Sequence, residues 1–114
     1  MMKKDLHPIH PGEILLEEFM RPLGLSANQL AKILRVPANR ISSIINGQRG
    51  ITADTALRLY RYFGLEAQFW LNLQNSYDLE LLEEKVKDHI FSTVPHREIS
   101  DIAFNQTTTN KRVQ

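Results

Sequence analysis

The sequence of 114 residues contains no cysteine. Disulfide bonds, catalytic thiolates and zinc sites built on thiolates are therefore excluded, and the composition suits a reducing cytoplasm. The longest uninterrupted apolar run in the first half of the chain, residues 14–16, is far too short to cross a bilayer. Lys3 and Lys4 are not followed by an apolar segment of the kind found in secretion signals. These absences predict a cytoplasmic protein without a membrane partner.

Groups that could support catalysis are few and do not converge. His7 and His10 are three residues apart in a segment that is not expected to be helical, so a metal site built on this pair is a weak alternative. The carboxylate pairs at residues 17–18 and 83–84 are adjacent on predicted helices and point in different directions. We therefore expect no enzymatic activity, no metal and no cofactor.

The charge is small overall and unevenly distributed. The formal net charge is +1, but residues 26–64 hold six basic side chains against one acidic side chain, which gives +5. Residues 65–89 hold two basic and six acidic side chains, which gives −4. A basic segment favours contact with the phosphates of a nucleic acid, although a solvated helical surface would have a similar composition.

Glycine and proline divide the first 90 residues into five predicted helices. The first covers residues 12–21 and ends at Pro22. The second covers residues 26–34 and begins with Ser26 and Gln29, which have the spacing of a capping box. The third begins near residue 37, the fourth follows residue 52, and the fifth covers residues 66–89. The pattern predicts an all-α protein, a five-helix bundle with a longer C-terminal helix and a flexible tail.

The fifth predicted helix carries two apolar stripes. We expect the first to pack in the core of the monomer, and it consists of Phe69, Trp70, Leu73 and Tyr77. We expect the second to contact a second copy or another partner, and it consists of Leu79, Leu82, Val86 and Ile90. The predicted organisation is a leader at residues 1–9, a domain at 10–89 and a tail at 90–114, in which residues 90–94 could pair as a short strand in a dimer.

The second and third helices carry the most specific motif. Residues 30–47 read LAKILRVPANRISSIING and resemble a phage-repressor-type, lambda-repressor-like helix-turn-helix. In that motif the first helix lies over the DNA backbone and the second enters the major groove. Ala31 is small where the two helices approach, Val36 fills the turn, and Ile41 and Ile44 anchor the second helix. The predicted function is sequence-specific binding of double-stranded DNA.

Polar residues around this motif are the candidates for DNA contact. Asn39, Ser43 and Asn46 fall at helical spacing opposite the two isoleucines, where they would face the groove. Asn39 would read adenine and Ser43 other base edges, whereas Asn46, Gln48 and Arg49 would contact the DNA backbone and fix the register. Arg40 would either clamp a phosphate or reach a guanine. For each candidate alone, plain solvation is the competing interpretation. The full set is Ser26, Gln29, Lys32, Asn39, Arg40, Ser42, Ser43, Asn46, Gln48 and Arg49.

Two residues depart from the repressor pattern. Arg35 stands where the turn usually has glycine, so the turn either carries left-handed strain of about 1 kcal/mol or is slightly wider. Pro37 replaces the usual serine or threonine cap, which removes one hydroxyl acceptor while fixing φ at the start of the helix.

Three further stretches of sequence narrow the resemblance from the helix-turn-helix motif to one family. They are HPGE at residues 10–13, GITADTA at 50–56, and FWLNLQ at 69–74 followed by YDL at 77–79. With the motif, they are similar to the HigA-type antitoxins of bacterial toxin-antitoxin pairs over residues 8–83. The resemblance implies a homodimer that represses its own operon and holds a small messenger-cleaving toxin inactive.

Two other functions compete with this interpretation. One is a stand-alone or phage-type transcriptional repressor without a toxin, and the other is a protein-sequestering module that does not bind DNA. A toxin of the implied kind would be basic because it must grip RNA, so the acidic fifth helix is the expected contact and the first helix is the alternative.

Overall fold

The computed structural model describes residues 8–99, which form five helices and no strand. We number them α1 (residues 11–23), α2 (Ala27–Leu34), α3 (Ala38–Ile45), α4 (Ala53–Phe63) and α5 (Ala67–Thr93). The predicted all-α bundle with a longer C-terminal helix is confirmed. None of the helices in this part of the chain is long and apolar enough to span a bilayer.

Helix α1 changes its hydrogen-bonding pattern in the middle. Its ends, Pro11–Ile14 and Arg21–Leu23, are α-helical, whereas Leu15–Met20 is π-helical. The N–H of Arg21 bonds to the carbonyl five residues back, that of Leu16. Proline inside an α-helix lacks an N–H and collides with the carbonyl four residues back. The wider π turn accommodates Pro22, so the helix continues to Leu23 instead of ending at residue 21 as predicted.

The start of α1 is both capped and packed closely against α3. The Nδ1 atom of His10 accepts a 2.8 Å hydrogen bond from the N–H of Gly12, and Pro11 occupies the first helical position. A Cβ atom at Gly12 would lie 1.9 Å from the carbonyl oxygen of Ile44, so only glycine fits there. The HPGE stretch therefore fixes where α1 crosses α3.

The start of α2 and the turn between α2 and α3 match the sequence-based predictions. Ser26 and Gln29 form both bonds of the capping box, at 3.1 and 2.8 Å. Arg35 ends α2 with φ at 64°, the left-handed conformation that the missing glycine predicted. Pro37 caps α3 without a side-chain hydrogen bond. The non-glycine residue at Arg35 therefore carries strain of about 1 kcal/mol within a turn of ordinary shape.

The core lies where all five helices meet. Trp70 from α5 is fully buried and packs its ring against Phe19 and Phe69, at centroid distances of 4.9 and 5.0 Å. The first apolar stripe of α5 thus packs within the monomer, as predicted. The buried apolar residues are Leu15, Met20, Leu30, Ala31, Leu34, Ile41, Ile44, Ile51, Ala56, Leu59 and Trp70.

Helix α5 extends well past the bundle. Its 27 residues span about 40 Å, and the ring of Tyr77 meets the ring of His10 edge-on at 4.8 Å. Beyond Tyr77 most side chains are exposed.

The predicted end of this helix at residue 89 and the short strand at residues 90–94 were wrong. Residues 90–93 are helical, and the N–H of Val94 bonds to the carbonyl of Ile90 at 2.8 Å. A helix satisfies these backbone groups within one chain, whereas a strand needs a partner. Pro95, which has no N–H to donate, follows directly. Residues 100–114 of the predicted tail and most of the predicted leader lie outside the described residues.

Candidate nucleic-acid interface

Helix α3 has one buried face and one face directed away from the core. Ile41 and Ile44 are 0% exposed. On the other side Asn39 and Asn46 are exposed and Ser43 is half-buried. This arrangement agrees with the helical spacing from which the groove-facing residues were predicted. Two amide side chains and one hydroxyl therefore lie on one accessible strip of α3.

The loop after α3 is hydrogen-bonded to the C-terminal end of α3. The carbonyl of Ser43 accepts hydrogen bonds from the N–H groups of Gln48 and Arg49, at 2.8 and 3.2 Å. The reversal occurs at Gly47, whose φ of 79° is left-handed. The side chains of Asn46, Gln48 and Arg49 are exposed beside the strip. Their predicted role as backbone contacts that fix register is compatible with this placement.

The start of α2 supplies the second group of candidates. Ser26, Gln29 and Lys32 are all exposed. The capping box uses the Oγ of Ser26 and the Oε1 of Gln29 as acceptors. The hydroxyl proton of Ser26 and the Nε2 of Gln29 are left over as donors, which is what a phosphate requires. Capping and phosphate binding are thus compatible uses of the same two side chains.

Arg40 and Ser42 have intramolecular partners. The Nη1 of Arg40 forms an ion pair with Asp54 and lies 3.5 Å from the hydroxyl of Thr55, on α4. The Oγ of Ser42 donates to the carbonyl of Asn39 at 3.4 Å. The Arg40 side chain therefore contacts α4 in this structure. The DNA-contacting roles of both residues stay predictions.

Asp54 is the centre of an ionic network that the sequence did not reveal. The Nε of Arg58 donates to Asp54 at 2.9 Å, and its Nη1 donates to the carbonyl of Leu34 at 2.8 Å. Hydrogen bonds from Arg58, and then from Arg40, lower the pKa of the Asp54 carboxyl. Arg58 also satisfies a carbonyl at the end of α2. The network therefore joins α2, α3 and α4 around the helix-turn-helix.

Gln74 was also missed, and it ties the loop after α3 to α5. Its Oε1 accepts from the N–H of Ile51 at 2.7 Å, and its Nε2 donates to Asp78 at 2.9 Å. A Cβ atom at Gly50 would lie 3.0 Å from the Gln74 amide, so the loop approaches closely there. The four-residue spacing of Gln74 and Asp78 was the only available signal for this contact.

The described residues, 8–99, contain no group of three side chains able to hold a metal ion. The Nδ1 of His10 is occupied as the cap of α1, and His7 lies outside the described residues.

Comparison with known proteins places this interface in a family. A family model described as helix-turn-helix matches residues 16–70. The chain is 60% identical over 82 residues to virulence-associated protein I of Dichelobacter nodosus, covering 72% of this chain and 76% of that protein. It is similar to the structure of an addiction module antidote protein of the HigA family from Coxiella burnetii, with 52% identity, a TM-score of 0.76, and coverage of 80% and 99%. It is also similar to Pseudomonas aeruginosa antitoxin HigA, solved with the higBA promoter, with 44% identity, a TM-score of 0.76, and coverage of 78% and 97%.

Proposed function

Because this chain belongs to the HigA-type family of helix-turn-helix antitoxins, we propose that it binds an operator at its own promoter, represses that operon and neutralises a small messenger-cleaving toxin. It works in the cytoplasm as a homodimer, and its activity is binding, not catalysis. The relative from Pseudomonas aeruginosa, which was solved with promoter DNA, supports the first part of this proposal.

One observation carries the DNA-binding part. Helix α3 is anchored by two fully buried isoleucines and presents Asn39, Ser43 and Asn46 on the accessible side. An α-helix fits the major groove, where an asparagine amide pairs with adenine through two hydrogen bonds. The exposed donors at the start of α2 lie where the first helix of such a motif crosses the backbone. Base reading and backbone positioning are therefore divided between α3 and α2.

The division predicts two kinds of variant. Asn39→Ala or Ser43→Ala should cost about 1 to 3 kcal/mol at one operator position and relax the preference there, because a base contact is lost. Lys32→Ala should weaken binding to all sequences alike and lower the salt slope by about one per site, because one phosphate contact is lost. Mobility-shift titrations of the upstream region and a scrambled duplex, at several salt concentrations, measure both effects.

Glu66→Gln is a control outside this interface, and it should leave the sequence preference as it is. If Asn39→Ala and Ser43→Ala both retain the full preference for the operator, α3 does not read the groove in the proposed way.

The dimer follows from the limited reach of a single helix. One α3 reads only a few base pairs, so two copies are needed on half-sites about 34 Å apart, or a multiple of that distance. The apolar contact between copies comes from the part of α5 beyond the bundle. Leu79 and Leu82 are 60% and 52% exposed there, and neighbouring exposed leucines are typical of an interaction surface. The proposed contact residues are Leu79, Leu82, Val86 and Ile90.

The toxin-binding part rests on charge. The acidic side chains Glu80, Glu84 and Asp88 are exposed on α5 and have no ion-pair partner among residues 8–99. An acidic surface speeds the capture of a basic protein by long-range attraction. The double change Glu80→Lys with Glu84→Lys should therefore slow association with the product of the adjacent gene, most strongly at low salt. Stopped-flow or surface-plasmon measurements over a salt series test this.

An unchanged association rate at low salt would rule out this surface as the toxin contact. Helix α1 would then be the proposed contact. If the adjacent gene encodes no protein that binds the chain, the stand-alone repressor is the correct function.

A further inference from the structure

The loop between α3 and α4 is held by a different kind of hydrogen bond in each half. Its first half is bound to the backbone of α3, because the carbonyl of Ser43 accepts from the N–H groups of Gln48 and Arg49. Its second half has no such support, since Gly50 and Ile51 form no hydrogen bond with another backbone group of the described chain. Ile51 is 3% exposed, so its N–H is shielded from water and needs a partner within the protein. The second half of the loop therefore depends on a side chain.

That side chain is Gln74 of α5. Its Oε1 accepts from the N–H of Ile51 at 2.7 Å, and its Nε2 donates to the Oδ1 of Asp78 at 2.9 Å. A glutamine amide accepts at one end and donates at the other, whereas a carboxylate only accepts. Asp78 therefore takes the NH2 end of the amide and leaves the oxygen for the loop. The carboxylate sets the direction in which Gln74 is used.

The base from which Gln74 reaches the loop is fixed in the core. Trp70 lies four residues earlier on α5 and is fully buried. Residues four apart share one face of a helix, so the packing of Trp70 against Phe19 also fixes the backbone at Gln74. The second half of the loop is therefore positioned relative to the core of the molecule, whereas the first half is positioned relative to α3.

The loop approaches this amide closely at Gly50. A Cβ atom there would lie 3.0 Å from the Cδ, the Oε1 and the Nε2 of Gln74 alike. Three equal distances mean that the face of the amide lies against the glycine. The φ of Gly50 is not left-handed, so glycine is required for the close approach and not for its backbone conformation. Contact with the amide face and a hydrogen bond at the next residue together leave the loop little freedom.

We propose that Gln74, oriented by Asp78, is a positioning residue for DNA binding, which sets the place of Gln48 and Arg49 on the DNA backbone without touching the DNA itself. This inference rests on the proposed binding of an operator. Misplaced backbone contacts shift the register of α3, and base contacts are lost first because they depend on hydrogen-bond geometry. Attraction between basic side chains and phosphates carries no sequence information and depends little on register. Loss of Gln74 should therefore reduce affinity for the operator much more than affinity for unrelated DNA.

Gln74→Leu tests this role, because leucine fills similar space and forms neither hydrogen bond. Affinity for the operator should fall about tenfold, while affinity for a scrambled duplex should fall less than about twofold. Gln68→Leu is the matched control. Gln68 donates to Asn72 at 3.0 Å, which is the same kind of four-residue pair on the same helix, and it has no hydrogen bond to the loop. Its loss should leave both affinities unchanged in fluorescence-anisotropy titrations of the full chain.

A merely structural role of Gln74 predicts a different result. Partial unfolding lowers the concentration of active protein, so both duplexes would lose apparent affinity by the same factor. An equal loss on both duplexes, or no loss on either, overturns the proposal while operator binding stands. If the unaltered chain does not prefer the operator to the scrambled duplex, the proposed function fails instead.

The orientation of the amide provides a second test through exchange of donor and acceptor. Gln74→Glu can still accept from Ile51 but places a second carboxylate beside Asp78, so it should also lose preference for the operator. Adding Asp78→Asn supplies an NH2 group that donates to the new carboxylate, and this double variant should recover most of the preference. Gln74→Leu with Asp78→Asn is the matched control and should not recover. Equal recovery in both double variants, or recovery in neither, contradicts the proposed orientation of Gln74 by Asp78.

Discussion

His10 both caps helix α1 and packs against a residue of α5. Its Nδ1 accepts the N–H of Gly12 and therefore has to be unprotonated, while its ring packs against Tyr77. Partial burial lowers the pKa of His10, and the charges of Asp78 and Glu13 oppose this only in part. A capping histidine that is neutral in the folded state also explains why an imidazole is suited to the start of α1.

The lowered pKa predicts acid sensitivity. Because the folded chain holds the His10 proton more weakly than the unfolded chain, the stabilisation is complete above the unfolded pKa of about 6.5 and is lost as the pH falls below it. The free energy of unfolding should decrease between pH 7 and pH 5. His10→Asn, which caps without titrating, should flatten this dependence, and His10→Ala should cost about 1 kcal/mol at neutral pH. Urea denaturation at a series of pH values measures all three, and an equal slope in His10→Asn would contradict the assignment.

At the level of single residues, the sequence predicted contacts that are local and missed those that are not. The capping box joins residues three apart, and the left-handed turn depends on Arg35 alone, so both could be inferred from spacing and residue type. Arg40 and Asp54 are 14 residues apart and meet only when α3 packs near the start of α4. No periodicity in the sequence encodes that distance, so the ion pair between the two residues was not predicted.

Between elements, Asp54 holds Arg40 against α4, and its removal should change how the protein binds DNA. Asp54→Asn would free Arg40 for the phosphate backbone, raise affinity for a scrambled duplex and increase the salt slope by about one per copy. The ratio of operator to scrambled binding should fall. The free energy of unfolding should change little, because the ion pair is exposed to solvent. Titrations over a salt range measure this, and an unaltered slope would show that Arg40 stays on α4 without the carboxylate.

The lengths of the helices were predicted well except at Pro22 in α1 and at the end of α5. Pro22 was expected to stop α1, because a proline blocks the α-helical hydrogen bond of its own turn. The π-helical turn avoids that conflict, and nothing in the composition of residues 15–20 indicated it. The end of α5 was placed early because the apolar, β-branched residues near 90–94 favour a strand as readily as a helix.

For the whole molecule, the part of α5 beyond the bundle should be dispensable for folding and essential for assembly. A chain ending at Asp78 retains Trp70, Tyr77 and the Gln74 contacts, so its helices should still pack. It should be monomeric and bind the operator more weakly, although every groove-facing residue is present. The melting temperature of the full chain should rise with concentration, while that of the shortened chain should not. A shortened chain that remains dimeric in sedimentation would remove α5 from the interface.

The single amide of Gln74 has a consequence for regulation. With one end it holds the backbone just after the DNA-reading helix, and with the other it holds Asp78, at the point where α5 leaves the bundle. Gln74 therefore connects the loop after α3 to the point where α5 leaves the bundle, and we expect a protein that displaces Asp78 to change the restraint on that loop. Any such coupling is reciprocal by free-energy linkage. If a protein bound on α5 changes the affinity for the operator by some factor, the operator changes the affinity for that protein by the same factor. The affinities for DNA and for the partner are therefore coupled by one shared free energy.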